Sequence, residues 1–217
     1  MPIFLSGNTS IRIQQLEPAA AKPLPAVLLL HGAGGHIDFW FDRLAPLLSR
    51  LGIACYAVHY FDSTGSTRAD STTFTDGHHV PLWLRTISDA LTWIAARPNI
   101  DPTRIALIGI SLGAFLSIAT AAHNLLAVVI RAVVEISGGL AQPYSSRVTS
   151  SFPPTLILHG ESDTVVPVSH AIELNTLLDR LAVPHQMHLL PGEGHLFSPA
   201  AQPLILAAVT EFLARHL

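Results

Sequence analysis

The sequence predicts an α/β fold: a mostly parallel central sheet with helices on both faces. Short apolar, β-branched runs bounded by turn residues alternate with longer stretches of helical spacing. Apolar residues make up 49% of the 217 positions and charged residues only 12%, against a usual charged share of about 25%. Such a chain can bury a sizeable core and does not have the composition of a disordered one. Strand–helix alternation also implies crossover connections, which parallel strands require.

Six runs read as strands buried on both faces: VLLLH at 27–31, IACYAVHY at 53–60, RIALIGI at 104–110, AVVEIS at 132–137, TLILHG at 155–160 and HQMHLL at 185–190. Helical spacing occupies 41–51, 81–98, 112–126, 166–181 and 199–217. Pro81 and Pro167 suit first-turn positions, where a missing N–H costs nothing. Residues 99–102, Asn-Ile-Asp-Pro, read as the turn into the third of these strands. PAAAKPLP at 18–25 is a short linker, and 61–80 is the longest polar stretch. Because 61–80 follows a strand end, it is expected beside the mouth of a site. The length fits one domain, 1–217.

Several function classes are disfavoured. The formal net charge is -3 and the 12 Lys and Arg form no run, so no nucleic-acid footprint is expected. The single cysteine, Cys55, lies in an apolar run and reads as a core thiol; no intrachain disulfide is possible. The first residues lack the pattern of a secretory signal. The longest apolar run, LLAVVIRAVVEI, is cut by Arg131 and Glu135 and falls short of a span. The expectation is a cytoplasmic protein with no membrane span, monomeric or homodimeric.

Gly109-Ile-Ser111-Leu-Gly113 is a G-x-S-x-G pattern with a strand before it and a helix after it. A sharp strand-to-helix turn displays the hydroxyl at the top of the sheet, and the N–H of Leu112 then sits at a helix N-terminus. A serine hydroxyl is a weak nucleophile, so it needs a base, and the base needs an orienting acid. Asp163 falls just past the fifth run, in LHGESDTVVP, and His195 falls past the sixth, in LLPGEGHLF. Glu161 is the alternative acid; Glu193 is too near His195 along a tight turn to reach its ring. Donors for a developing oxyanion are expected from HGAGGH at 31–36, with Ala33 first, Gly34 second, and Leu112 as the partner. That loop lacks the G-K-[ST] ending of a phosphate loop. His31 reads as structural, its ring bonded to nearby backbone.

HGAGG, GISLG, HGESDTVVP and GEGH, in this order, resemble the α/β-hydrolase superfamily. With no room for a large cap domain, the chain is most similar to its dienelactone hydrolase-like branch, from about residue 26 to residue 217. The resemblance implies the α/β-hydrolase fold, with an eight-stranded type of sheet trimmed at its N-terminal end. Residues 10–18, SIRIQQLEP, would then form an antiparallel edge strand. It also implies a Ser111–His195–Asp163 triad and no cofactor. Dienelactone hydrolases proper carry a cysteine at the elbow. Ser111 therefore shifts the expectation from lactone chemistry towards a serine carboxylesterase acting on a small-molecule ester.

Phe39, Trp40, Phe61, Phe115 and Leu196 flank the catalytic loops and are candidates to line an acyl pocket, although core packing explains each equally well. Arg68 could meet a substrate carboxylate or be a solvated loop charge. His78-His79, with His59 or Asp76, lack metal-ligand spacing, so no metal site is expected. Three alternatives to an esterase remain: a thioesterase, a peptidase resembling prolyl oligopeptidases, and a non-catalytic binding protein on this fold.

Overall fold

Apolar runs become strands here because both faces of the sheet are covered. The computed structural model describes residues 1–123, 128–140 and 143–217. Among these, β1 (Ile3–Ser6), β2 (Thr9–Leu16), β3 (Leu24–Leu30), β4 (Ala54–Val58), β5 (Ile100–Ile110), β6 (Ile130–Ile136), β7 (Thr155–Gly160) and β8 (His185–Leu190) form one sheet. The order is β1-β2-β4-β3-β5-β6-β7-β8. Strands β3 to β8 run parallel, and β1 and β2 are antiparallel to their neighbours.

Alternate residues of the central strands point to opposite faces, and each face has its own helices. Leu28, Tyr56 and Leu107 pack with Trp83, Ile87 and Leu91 of α3 (His79–Ala95) and Leu116 of α4 (Leu112–Ala122). Val133 and Ile157 on that side meet Ile118 of α4 and Leu174 of α5 (Ser169–Arg180). On the other face, Leu29, Ala57, Ile108 and Val134 meet Leu48 of α1 (Asp38–Arg50) and Val209 and Phe212 of α6 (Gln202–His216). Fully burying one such large side chain contributes roughly 1.5–3 kcal/mol. A sixth helix, α2 (Ser71–Thr75), is only five residues long.

The sheet is not trimmed at its N-terminal end, as the resemblance had implied. β1 lies outside β2, so residues 10–16 of the expected edge strand 10–18 belong to the second strand, residues 17 and 18 lie past its end, and the edge is Ile3–Ser6. A two-residue turn, Gly7-Asn8, joins the pair, and Gly7 has φ +57°, as such hairpin turns demand. Two further details differ. Residues 101–104 are a bulge inside β5, since Leu24 pairs with Ile100 but Ala26 with Ile105. Pro81 does lie in the first turn of α3, but Pro167 stands before α5 begins. Residues 124–126 of the helix expected over 112–126 lie outside the described residues.

Chain order fixes where a site can form. From β3 the chain moves to β4 on one side, and from β5 to β6 on the other, so β3 and β5 form a topological switch point. The loops leaving their carboxyl ends diverge to helices on opposite faces, opening a crevice. The loop after β3 and the turn after β5 border that crevice. Cys55 is buried in the sheet, and burial pushes its thiol up to about 12.

Candidate active site

Ser111 stands between β5 and α4 with φ 54° and ψ -118°, a conformation that L residues rarely adopt. Backbone bonds hold it there: Ser111 N–H donates to Ile136 O at 2.8 Å, and Ser111 O accepts from Ala114 N–H at 2.9 Å. The flanking glycines are needed for close approach. A Cβ on Gly109 would overlap the backbone of Gly113 and Ala114, and one on Gly113 would overlap the carbonyl oxygen of Leu30. The pattern G-x-S-x-G thus lets α4 lie hard against β5 and β3 while the serine is displayed.

Asp163 and His195 meet Ser111 from the ends of β7 and β8. His195 Nδ1 lies 2.8 Å from Asp163 Oδ2, and His195 Nε2 lies 2.9 Å from Ser111 Oγ. A carboxylate only accepts, so Nδ1 carries the proton and Nε2 is left to accept from the serine hydroxyl. Asp163 Oδ1 takes the N–H groups of Val165 and Val166 at 2.8 and 2.9 Å, which fixes the carboxylate in its own turn. His159, buried beside Asp163, has its Nε2 2.9 Å from Val166 O. Burial holds its pKa below the ordinary imidazole value, so it stays a neutral donor to that carbonyl. The β7 and β8 loops are tied by Ser162 N–H to Glu193 O at 2.8 Å.

Neither alternative acid takes part. Glu161 is exposed. Glu193 accepts from Ser198 N–H and Oγ, both at 2.6 Å, bonds that hold its carboxyl below the usual range and brace the loop around His195.

The loop after β3 packs on the elbow: a Cβ on Gly32 would lie 3.2 Å from that of Ser111. His31 braces this loop. Its ring stacks on Tyr60 with centroids 4.1 Å apart, its Nδ1 lies 2.8 Å from Gly32 O, and the Tyr60 hydroxyl donates to His31 O at 2.7 Å. Burial lowers the His31 pKa to about 4, so the ring is neutral and donates from Nδ1. Ala33 and Leu112 border the same cavity as Ser111. Leu112 opens α4, so its N–H has no partner within the helix. Gly34 turns beside the ring of His36 and is not in that cavity wall.

Of the six pocket candidates, Phe115 lines this cavity. The other five lie elsewhere, because proximity along the chain does not set direction. Phe61 is 4% exposed and packs within the core, edge-on to His31 and tilted against Trp83. Phe39 lies under the Arg43 guanidinium, 3.7 Å from ring centre to Cζ, and against Trp40, which packs on the α1–α6 face. Arg68 is exposed, and Leu196 is 89% exposed. The wall is instead completed by Phe74, Val80, Tyr144, Val165 and Val166.

Sequence reasoning also passed over Glu135. It is fully buried on β6, paired with Gly109 in register, and accepts from Gly138 N–H behind the elbow. Its Oε2 has no partner among the described residues. Burial raises its pKa to about 8, against the pull of the Gly138 bond. A lone carboxylate within the apolar run 132–136, AVVEI, was the available signal.

Sheet order, elbow and the loops at the strand ends define an α/β-hydrolase. Comparison with known proteins agrees. The chain belongs to the dienelactone hydrolase family, whose family model matches residues 12–211. Est1E from Butyrivibrio proteoclasticus superposes with a TM-score of 0.80 at 15% identity, over 99% of this chain and 98% of that one. The dienelactone hydrolase from Anabaena variabilis gives 0.75 at 20% identity, over 100% and 96%. A dienelactone hydrolase-like promiscuous phosphotriesterase from metagenomic libraries gives 0.78 at 21%, over 99% and 96%. A monoacylglycerol lipase of Mycolicibacterium smegmatis is 34% identical over 82 residues, a match spanning 36% of this chain and 28% of the lipase. Among the described residues, no helix is long and apolar enough to cross a membrane.

Proposed function

We propose that residues 1–217 act as one domain, a serine hydrolase that cleaves small carboxylic esters through an acyl-enzyme. The observation that carries this reading is the bonded series Asp163–His195–Ser111, with steps of 2.8 and 2.9 Å, at a strained elbow. Ser111 Oγ attacks the ester carbonyl while His195 Nε2 takes its proton. The Asp163 carboxylate holds the Nδ1–H tautomer and stabilises the imidazolium that forms. N–H groups of Ala33 and Leu112 receive the oxyanion, with Gly34 the second choice on the first loop; one such donor contributes about 100–1,000-fold in rate. His195 then protonates the departing alcohol. Water, deprotonated by the same ring, attacks the acyl-Ser111 ester and frees the acid. Apart from the attacking water, every catalytic group these steps use is a side chain or a backbone N–H of this chain.

A turnover panel tests the reading: p-nitrophenyl butyrate, butyryl-CoA and a peptide p-nitroanilide, each at matched concentration. The expected order is ester first. A preference for the thioester or the anilide would replace the esterase by a thioesterase or peptidase using the same groups. Inactivity of folded protein on all three would favour a binding protein.

A further inference from the structure

We infer that the apolar cavity beside Ser111 takes an uncharged apolar arm of the substrate ester and excludes a carboxylate there. The inference rests on Ser111 as the nucleophile. The cavity measures about 390 Å³ and Ser111 forms part of its wall. Phe115, Leu116 and Ala119 make one stripe of α4, and Val165–Val166 come from the turn that holds Asp163. Phe74 and Val80 close the other side. None of the described lining residues is Lys, Arg, His, Asp or Glu; besides the Ser111 hydroxyl, the polar side chain in the wall is that of Tyr144.

Two features separate this cavity from ordinary core packing. Phe74 is 43% exposed and Val165 67% exposed, so large apolar side chains stand in water around the nucleophile, where an apolar ligand would cover them. The short helix that carries Phe74 is also held in place. Asp70 and Thr73 form a reciprocal capping box, and Ala69 N–H donates to Ala33 O at 2.8 Å, joining this segment to the loop after β3. A carboxylate entering such a wall would lose its water and meet no cation among the described lining residues; the Arg147 guanidinium lies over the Tyr144 ring, 5.8 Å from its centre, and is not part of that lining. Arg68 is exposed and absent from the lining.

Burying each methylene then raises kcat/KM about fourfold until the cavity is full. The test is two series of esters. One varies the acyl group from acetyl to dodecanoyl on p-nitrophenol, and the other varies the alcohol on acetate. Each is accompanied by one ester ending in a carboxylate, such as p-nitrophenyl hydrogen adipate beside the hexanoate. The expected result is a rise to a maximum in one series, and at least about a 100-fold preference for the neutral ester over its carboxylate analogue. Ala119→Leu should lower the hexanoyl-to-acetyl ratio, and Phe115→Ala should move the maximum to longer chains. Flat series with equal turnover of the carboxylate ester would overturn the inference and leave the serine hydrolase intact. If no ester is turned over, calorimetric titration with hexanamide and acetamide reads the same cavity without chemistry. Tighter hexanamide binding, weakened in Ala119→Leu, would support it; equal or absent binding would overturn it.

Discussion

Ser111→Ala is expected to fold as the parent does and to hydrolyse p-nitrophenyl butyrate about a millionfold more slowly in kcat. Nothing that holds the elbow uses the hydroxyl. The bonds to Ile136, Ala114 and Phe115 are all made by the backbone of residue 111. Alanine keeps the Cβ, so the packing around the turn is preserved. What disappears is the proposed nucleophile, and with it the proposed role of His195 as its base. Some rate above that of water should persist, because oxyanion donors and substrate binding remain. Thermal unfolding alongside steady-state kinetics checks both halves. Turnover within tenfold of the parent would show that Ser111 is not the nucleophile.

Glu135→Gln is expected to change how stability depends on pH. The carboxyl has an ordinary pKa of 4.5 and one of about 8 in the folded protein. The unfolded chain therefore loses this proton at a lower pH than the folded one does. Between about 4.5 and 8 the folded state binds more protons, so stability falls as pH rises. Below that window the contribution is fully present, and above it the loss is complete, on the order of 4–5 kcal/mol. Glutamine can still accept from Gly138 N–H through Oε1 and carries no proton to lose. The variant should match the parent near pH 4.5 and be more stable at pH 8, as read by urea unfolding at both values. Parallel profiles for the two proteins would mean that Glu135 is ionised in the folded state.

The sequence revealed what local chemistry marks. β7 and β8 were legible to the residue, since Thr155–Gly160 and His185–Leu190 are bounded by Pro and Gly. Ser111, Asp163 and His195 each sit in a turn punctuated by glycine or proline just past a strand, and chain order then implied that they meet. β1 was missed because it is four residues with alternate positions exposed, too short for a periodic signal, although Gly7-Asn8 marked its hairpin. The cavity wall was legible only in part. Phe74 and Val80 lie in 61–80, the stretch expected beside the mouth of a site, whereas Tyr144 and Val165 come from separate segments that only tertiary packing brings to Ser111. Phe39, Phe61 and Leu196 looked suitable because they adjoin the loops at the candidate site in sequence. Helix phase and the edge-on contact with His31 send the two aromatic rings elsewhere, and Leu196 faces solvent. Glu135 was visible only as an oddity, since its meaning depends on Gly138 folding back behind the elbow.

Reaction of the folded protein with a fluorophosphonate, followed by intact-mass measurement and peptide mapping, asks whether Ser111 is an activated nucleophile. The expected result is a single adduct per chain, on Ser111, whose formation slows sharply in His195→Ala. An unlabelled folded protein, or an adduct on another residue, would contradict the reading of this site as a serine hydrolase.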